Sequence, residues 1–553
     1  MLHKTKNPLL VVSILFLFLF SCSSNKQSFT KRDVKKAEKL IGLDFSKRDI
    51  DTLYPYLKRN RSGFDSLRKY PLENDVFPAV RFDPVPLGFE MPEQLNGNDW
   101  TIPANVEIPE RFDDLAFFTI PQLASLIKYK KITSTELTKF FLARLKKYQP
   151  TLQCSISITD SLALAQAKRA DEEIQNGQYR GILHGIPYGT KDLMAVPGYT
   201  TTWGAAPYKD QVIDQTATVI QKLEGAGAVL VAKLVSGALA RGDVWFGGKT
   251  KNPWDLTQGA SGSSAGSGSA TAAGLVPFAL GTETLGSITS PSTRNGVTGL
   301  RPTYGRVSRH GVMSLSWSMD KVGPLARNAE DCAIVLSVIQ GKDKNDLTTV
   351  DLPFGVNWNK DIKKLKVAYL QKDIEKDTTD SGNNLRNALK VFKEMGVEPI
   401  AVEMPKDVPF RGFDIILRAE AGAFFDDLVR SGQVDIMVEQ DQRSRANSLR
   451  QSRFIPAVEY LQANRQRQVL MQKMQELMKD YDVLISPSFG NDQLLATNLT
   501  GHPVIALPTG LDKKNHPTSL TLVGKLYDEA SILLLAKAFQ DNSSFDELHP
   551  PGY

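Results

Sequence analysis

Two serines in glycine-rich surroundings and one lysine are the residues of this 553-residue chain best suited to covalent chemistry. Ser263 lies in a run of Gly, Ser and Ala over 258–274, Ser287 follows 24 residues later, and Lys191 stands upstream. A serine hydroxyl is a weak nucleophile at neutral pH and needs a neighbouring base. Where no histidine is suitable, a lysine that burial keeps uncharged can serve as that base. These residue types are therefore compatible with catalysis that starts from a serine.

The small-residue run at 258–274 also has three non-catalytic interpretations: a flexible linker, a phosphate-binding loop, and close packing between a helix and a sheet. The apolar segment Val276–Leu280 follows almost directly, which argues against a linker. The nearby Gly248–Thr250 is a near match to a P-loop, but Asp243 occupies the position where the first glycine is required. We therefore expect this run to be part of the folded domain, with a role in packing or in catalysis.

Composition excludes several other classes of function. The 67 basic and 61 acidic residues give a net charge of +6, which is expected to be spread along the chain and predicts no nucleic-acid partner. The cysteines at 22, 154 and 332 and the six histidines show no metal-binding spacing, so the sequence predicts neither a metal site nor a cofactor.

The N-terminus has the pattern of an export signal. Lys4 and Lys6 precede the apolar run Leu9–Phe20, which is too short to span a bilayer. The following Cys22 completes a segment that resembles a bacterial lipobox, and this implies a lipid-modified mature N-terminus. An ordinary cleaved signal and a short anchor are the alternatives. We expect residues 1–21 to be a lipoprotein-type signal peptide and the protein to be tethered to a membrane surface of the bacterial cell envelope, on the periplasmic or outer-membrane side.

The remaining chain is predicted to have two parts. Residues 22–115 are polar and then proline-rich, and predict a tether and N-terminal extension with one helix around Val34–Leu43. Residues 116–553 alternate short apolar runs with helical patterns, which predicts a single α/β domain around a largely buried sheet. Within it, Phe413–Tyr481 is expected to be almost entirely helical and to shape a binding site. The predicted helices are those opened by Thr119 and Thr133 with capping patterns, Ser161–Asn176, Asp380–Met395 and Asp528–Asp541; the predicted strands are Ala228–Ala232, Leu365–Tyr369, Val483–Ser486, Val504–Leu507 and Ser519–Val523.

Three motifs together resemble the amidase-signature family. They are G-I-P-x-x-x-K-D ending at Asp192, G-S-S-x-G-S beginning at Gly262, and G-S-I beginning at Gly286. Further matches lie at Asn295–Arg306, Asp320–Arg327 and Gly501–Val504, so the resemblance covers about residues 117–541. It implies an α/β fold with a large mixed β-sheet covered by helices on both faces.

The resemblance also implies roles for the three candidate residues. Ser287 would be the nucleophile, Ser263 a bridging serine usually held in a cis peptide, and Lys191 the base that receives the proton. The oxyanion hole would consist of the backbone N–H groups of Thr284, Leu285, Gly286 and Ser287. Leu285 stands where glycine is frequent in the family, and a positive φ at this leucine would be strained.

The implied activity is amide hydrolysis through an acyl-enzyme, with a small amide or a peptide C-terminal amide as substrate. The run from Gly281 to Thr289 is more similar to the subgroup that contains peptide amidases than to glutamine-using subunits. The first alternative is the glutamine amidase subunit of a tRNA-dependent amidotransferase, which the predicted export disfavours. The second is an inactive surface binding protein, which the intact triad disfavours.

Charged residues around the motifs are expected to support structure. Asp192 is predicted to brace the lysine loop or to be purely structural, and Glu283 to order the nucleophile loop. Arg301, Arg306 and Arg327 are expected to hold structure rather than to contact substrate, and Arg465 and Arg467 to lie on a solvated helix face.

Overall fold

The computed structural model describes residues 28–97 and 100–553, which divide into two compact units, 28–71 and 72–553. The predicted signal segment 1–21 and Cys22 lie outside the described residues. Residues 72–115, which the sequence assigns to the extension, belong to the larger unit.

The smaller unit consists of helix α1 (Lys31–Ala37), a 3₁₀ turn at Glu38–Ile41 and helix α2 (Lys47–Leu67). Both α-helices begin with a capping box, in which the Thr30 or Ser46 side chain accepts from a backbone N–H and the Asp three residues later accepts from the cap. The helix predicted around Val34–Leu43 is therefore present as α1 and the 3₁₀ turn.

The described part of the larger unit contains fifteen further α-helices and fifteen strands. The helices are α3 Ile120–Lys128, α4 Ser134–Leu152, α5 Asp160–Gln175, α6 Thr218–Gly225, α7 Ala265–Ala272, α8 Thr289–Asn295, α9 Ala329–Ile339, α10 Gln371–Glu375, α11 Asp380–Glu394, α12 Asp414–Phe424, α13 Asp426–Arg430, α14 Arg445–Ser452, α15 Ala457–Met478, α16 Gln493–Thr500 and α17 Glu529–Asp541. The strands are β1 Ser155–Ile158, β2 Pro187–Lys191, β3 Val229–Leu234, β4 Val244–Trp245, β5 Gly248–Lys249, β6 Lys251–Asn252, β7 Asp255–Gly259, β8 Phe278–Glu283, β9 Thr298–Arg301, β10 Lys321–Ala326, β11 Val367–Leu370, β12 Ile400–Val402, β13 Val483–Pro487, β14 Val504–Leu511 and β15 Pro517–Gly524. Among the helices of the described ranges, none is long and apolar enough to cross a membrane.

The local sequence signals predicted these elements well. Thr119 and Thr133 each form the capping box that opens α3 and α4. The five predicted strands are found as β3, β11, β13, β14 and β15. The segment predicted to be nearly all helical contains α12 to α15.

Eleven strands form one mixed sheet in the order β1-β3-β2-β8-β10-β9-β14-β15-β13-β11-β12. Strand β2 is parallel to both β3 and β8, whereas β10 is antiparallel to β8. Every residue of β2, β3, β8, β9 and β10 is buried, so both faces of this part of the sheet are covered.

Successive residues of β3 show that helices cover both faces. Leu230 belongs to the same apolar cluster as Leu123 of α3, whereas Val231 belongs to a second cluster with Ala167 of α5. Because alternate side chains of a strand point to opposite faces, the two clusters lie on opposite sides of the sheet. The α/β architecture predicted from the sequence is confirmed.

Arg144 of α4 fixes the end of α7, the helix that follows Ser263. Its guanidinium is buried and donates from Nε to the Gly274 carbonyl oxygen at 2.8 Å and from Nη2 to the Ala273 carbonyl oxygen at 3.0 Å. Carbonyl groups at a helix C-terminus lack partners within the helix, and a cation is favourable there.

Arg144→Met is expected to lower the free energy of unfolding by about 2 kcal/mol, because it leaves two carbonyl groups without their charged donor. Chemical denaturation followed by tryptophan fluorescence measures the change. Lys139→Met, at an exposed position of the same helix, is the matched control and should change stability by less than about 0.5 kcal/mol. Equal effects of the two substitutions would contradict the role given to Arg144.

Candidate active site

The site lies at the carboxyl ends of the neighbouring parallel strands β2 and β8. Lys191 is the last residue of β2, and Thr282 and Glu283 end β8. In α/β sheets the crevice outside the carboxyl ends of parallel strands is the usual place for ligands. The register of the sheet therefore brings the lysine loop and the second serine loop to one edge.

Lys191 is fully buried, and two hydroxyl groups surround its amine. Nζ lies 2.8 Å from the Ser263 Oγ and 2.8 Å from the Thr282 Oγ1. Burial lowers the pKa of Lys191 well below its ordinary value, because the charged form loses its hydration. The negative charges of Asp320 and Glu283 act in the opposite direction but do not cancel this effect. A neutral amine in contact with a serine hydroxyl is a competent proton acceptor.

Ser263 sits in a tightly enclosed loop whose Gly262–Ser263 peptide bond is cis, as the resemblance implies. The Ser263 carbonyl oxygen accepts from the Gly237 N–H at 3.2 Å, and Asp243 accepts from the Ser261 N–H at 2.9 Å. A Cβ at Gly262 would lie 1.8 Å from the Gly242 carbonyl oxygen, so only glycine fits there. The sequence run at 258–274 thus contains a tightly packed loop and the whole of helix α7.

Ser287 lies in the turn between β8 and α8, next to the Ser263 loop. The Ser264 N–H donates to the Ser287 carbonyl oxygen at 3.2 Å, so the two serine-bearing loops contact each other directly. Ser287 is 8% exposed. The left-handed residue of this turn is Gly286, at φ 87°, whereas Leu285 avoids positive φ. The strain that a positive φ at Leu285 would bring is therefore absent.

Four backbone donors precede the Ser287 hydroxyl. Throughout the described part of the chain, the N–H groups of Thr284, Leu285, Gly286 and Ser287 donate to no protein acceptor. Buried or partly buried backbone donors normally have partners. Free N–H groups beside a serine are the arrangement that stabilises an oxyanion in acyl transfer.

Glu283 orders this turn, as the sequence predicted. Its Oε2 accepts from the N–H groups of Ile288 and Thr289 at 2.8 Å each, and its Oε1 accepts from Arg301 at 2.6 Å and from Asn498 at 2.9 Å. Burial alone raises the pKa of Glu283, but the Arg301 charge and these donors together lower it to about 2. Arg301, itself buried, therefore supports structure in the way the sequence suggested.

Asp320 is a site residue that the sequence reasoning did not assign. Its carboxylate accepts from the Thr284 hydroxyl at 2.6 Å and from the N–H groups of Leu315 and Ser316 at 2.8 Å each. Asp320 lies beside Thr284 because the first residue of β10, Lys321, pairs with Glu283 at the end of β8. The only sequence signal was its place at the start of the family motif Asp320–Arg327.

Asp192 braces the lysine loop, in agreement with one of the two predicted roles. Its carboxylate accepts from the Thr202 N–H at 2.8 Å and forms a fully buried ion pair with Lys233, with an N–O distance of 2.9 Å. Lys233 is thereby held in a structural ion pair. The Asp192–Lys233 ion pair connects the end of β2 to β3.

The prediction for Arg467 is wrong, whereas the prediction for Arg465 is confirmed. Arg465 is exposed, but Arg467 is only 2% exposed and donates to the Ser318 hydroxyl and carbonyl oxygens at 2.8 Å each. It lies on the buried face of α15 at helical spacing from Ala463 and Leu470. Arg467 therefore connects the helical segment to the loop that carries Asp320. Arg306 and Arg327 are buried, as expected of structural residues.

Comparison with known proteins identifies the family. The Amidase family model matches residues 136–533, so the chain belongs to the amidase family. The A subunit of glutamyl-tRNA(Gln) amidotransferase from Carboxydothermus hydrogenoformans is 32% identical over 79% of this chain and 99% of that protein. Its counterpart from Acinetobacter baumannii strain AYE is 31% identical over 78% of this chain and 97% of that protein. A crystal structure of the peptide amidase PAM with the inhibitor chymostatin is 25% identical, covers 79% of this chain and 99% of that chain, and has a TM-score of 0.69.

These matches confirm the predicted family, the predicted fold and the class of enzyme, one that acts on carbon–nitrogen amide bonds. The curated relatives agree better with the alternative, a subunit of a tRNA-dependent amidotransferase, than with the main expectation of an amidase for small or peptide amides.

Glu283→Gln is expected to destabilise the protein by about 3–5 kcal/mol at pH 7, because Arg301 would be left buried without its charge partner. A carboxylate whose pKa is lowered by folding stabilises the folded state above its unfolded pKa, and this contribution is lost as the pH falls toward the folded value of about 2. The stability difference between wild type and variant should therefore be full above about pH 5 and should shrink between about pH 4.5 and 2. Urea denaturation at a series of pH values measures it, and a difference independent of pH would contradict the account.

Proposed function

We propose that this protein hydrolyses a carboxylic amide through an acyl-enzyme formed on Ser287. The observation that carries the proposal is the buried Lys191 amine 2.8 Å from the Ser263 hydroxyl, in a loop that contacts the Ser287 turn. An uncharged lysine is the base that such chemistry requires. This contact also argues against an inactive binding protein, since the proton acceptor is retained in place.

In the proposed first half-reaction, the Ser287 oxygen attacks the amide carbon and its proton passes to the Ser263 oxygen. The Ser263 proton passes in turn to the Lys191 Nζ. The free N–H groups of residues 284–287 stabilise the negative charge on the former carbonyl oxygen, a contribution of about 3–4 kcal/mol per donor. The proton then passes from Lys191 through Ser263 to the amide nitrogen, which makes it a good leaving group, and the carbon–nitrogen bond breaks with release of ammonia or an amine.

In the second half-reaction, water attacks the acyl group on Ser287. Lys191, again neutral, accepts the water proton through Ser263. The proton then returns through Ser263 to the Ser287 oxygen as the ester bond breaks and the acid is released. The same residues thus act first as base and then as acid in each half-reaction. No metal or cofactor is needed for any of these proton transfers.

Two substrate classes follow from different observations. Similarity to the amidotransferase A subunits, at 31–32% identity over nearly their whole length, favours the side-chain amide of glutamine. The predicted export, and the similarity at 25% identity to a peptide amidase, favour a small or peptide C-terminal amide. Because sequence similarity is greater to the A subunits, glutamine is the first substrate to test. Location in the cell envelope, with a lipid on Cys22, stays a prediction from the sequence.

Ser287→Ala is expected to abolish ammonia release from glutamine and from a panel of aliphatic, aromatic and peptide amides, because the acyl-enzyme can no longer form. It should also abolish covalent labelling by a fluorophosphonate, with the label of the wild type located on Ser287 by peptide mass spectrometry. Ser337→Ala, on α9 away from the site, is the control and should retain both. A labelled residue other than Ser287 would refute the assignment. Turnover of glutamine alone would support the first substrate class, and turnover of peptide amides alone the second.

The pH dependence tests the role of Lys191. Since catalysis needs the neutral amine, kcat/KM should fall as the pH drops through the lowered pKa of Lys191 and should be level above it up to about pH 9. Lys191→Arg is expected to be inactive throughout this range, because a guanidinium does not lose its proton. Lys139→Met serves as the surface control with an unchanged profile. Activity that rises only above about pH 10 would show an ordinary lysine and contradict the proposal.

A further inference from the structure

The excess positive charge of the protein is concentrated in the smaller unit. Residues 28–71 contain twelve Lys and Arg against six Asp and Glu, a net charge of +6, whereas residues 72–553 contain 52 basic and 55 acidic residues. The expectation that the charge is spread along the chain is therefore wrong. A 44-residue helical segment carries the basic surplus, and the catalytic unit is slightly acidic.

Three large apolar side chains on one side of α2 are exposed to solvent. Tyr56, Phe64 and Leu67 are 57%, 50% and 74% exposed. Positions eight and eleven residues apart fall on the same side of an α-helix, so these three side chains form one stripe. We call Tyr56, Phe64 and Leu67 the α2 stripe. Soluble proteins seldom leave large apolar side chains grouped in this way unless the surface has a partner.

Basic side chains border the α2 stripe and lean over its rings. The Arg59 guanidinium lies 4.8 Å from the centre of the Tyr56 ring, and the Arg68 guanidinium 5.9 Å from that of Phe64. Such an arrangement lets the aliphatic stems cover apolar surface while the charges remain in water. The 3₁₀ turn adds Leu40, which is 71% exposed, among further lysines.

We propose that the smaller unit binds the surface of an anionic phospholipid bilayer, with the α2 stripe entering the interface and the bordering Lys and Arg contacting lipid phosphates. A helix with apolar and aromatic residues on one side and basic residues beside them is the type that lies in a membrane interface. Clustered cations are attracted to negatively charged leaflets. Nucleic acid could bind the same Lys and Arg side chains through its phosphates, but it provides no apolar environment for the exposed side chains of Leu67 and Leu40.

The position of this unit in the chain agrees with such a surface. It begins a few residues after Cys22, the predicted lipid-modified residue. Basic and apolar contacts next to a lipid attachment point add to the membrane binding that the lipid itself provides. The interaction proposed here does not depend on that lipid, so it can be measured on protein that lacks it.

The test uses the chain from Ser23 to Tyr553, which contains every described residue, and sedimentation with vesicles. Binding is compared between phosphatidylethanolamine vesicles containing about one third phosphatidylglycerol and vesicles of phosphatidylcholine alone. We expect at least about tenfold stronger binding to the anionic vesicles, and a loss of most of this preference between about 50 mM and 500 mM salt because the charges are exposed and screened. Equal binding to both vesicles, or no binding to either, would overturn the proposal.

Two sets of variants separate the apolar and the electrostatic contributions. Phe64→Ser combined with Leu67→Ser, and Arg59→Glu combined with Arg61→Glu, should each weaken binding to anionic vesicles by about tenfold or more. Leu347→Ser, at a 64% exposed position of the larger unit, is the matched control and should bind like the wild type. Hydrolysis of a soluble amide should be unchanged in all three, which shows that they are folded.

Two other partners would be detected by the same set of proteins. If a transfer RNA binds more tightly than the anionic vesicles and displaces them, the basic unit is a nucleic-acid site and the proposal fails. If the protein is a dimer by light scattering and the Phe64→Ser, Leu67→Ser variant is a monomer, the α2 stripe is a dimer interface and the proposal fails as well. A monomer whose vesicle binding is unaffected by RNA supports it.

Discussion

The amine of Lys191 is completely enclosed, and its uncharged state is the condition on which the chemistry of the site depends. Enclosure removes the water that would stabilise an ammonium ion, and the two closest polar neighbours are hydroxyl groups of Ser263 and Thr282. Carboxylates close to a lysine normally favour its charged form. One of them, Glu283, accepts hydrogen bonds from Arg301, from the Asn498 amide and from two backbone N–H groups. These donors offset its negative charge and limit the rise that it causes in the pKa of Lys191.

The Glu283 carboxylate also shapes the turn that carries Ser287. Glu283 fixes the two N–H groups that follow Ser287, and Asp320 fixes the hydroxyl of Thr284 at the other end of the turn. Side chains therefore hold the turn at both ends, while the N–H groups of residues 284–287 have no acceptor within the described part of the protein. Donors that are fixed before the substrate arrives need no reorganisation when charge develops on the substrate oxygen.

Support for this arrangement extends into the helical segment. Arg467 of α15 donates to Ser318, and Glu420 of α12 accepts from the Ser318 hydroxyl at 2.8 Å, so the loop leading to Asp320 is held by two buried, oppositely charged side chains. The helical segment and the turn at residues 284–287 are thereby parts of one hydrogen-bonded network. Changes in the helical segment can consequently alter reactivity without contact with the reacting atoms.

The sequence revealed what depends on local spacing. Lys191, Ser263 and Ser287 stood out because each lies in a short, specific motif, and capping patterns located two helices correctly. Asp320 and Arg467 were missed or misjudged because their roles depend on the pairing of β10 with β8 and on the buried face of α15. Neither can be read from neighbouring residues. The motifs also did not identify the substrate, since sequence identity to the expected peptide amidase is 25%, whereas identity to the A subunit of a glutamyl-tRNA(Gln) amidotransferase is 32%.

The central claim is that Lys191 is neutral at the pH of catalysis, and nuclear magnetic resonance of the protein labelled with ¹³C at the lysine Cε tests it most directly. Comparison with Lys191→Arg assigns the signal, and the chemical shift is followed between about pH 5 and pH 11. The account predicts that the Lys191 signal has the neutral-amine shift at about pH 8. A Lys191 signal that stays in the ammonium position up to about pH 10 would contradict it.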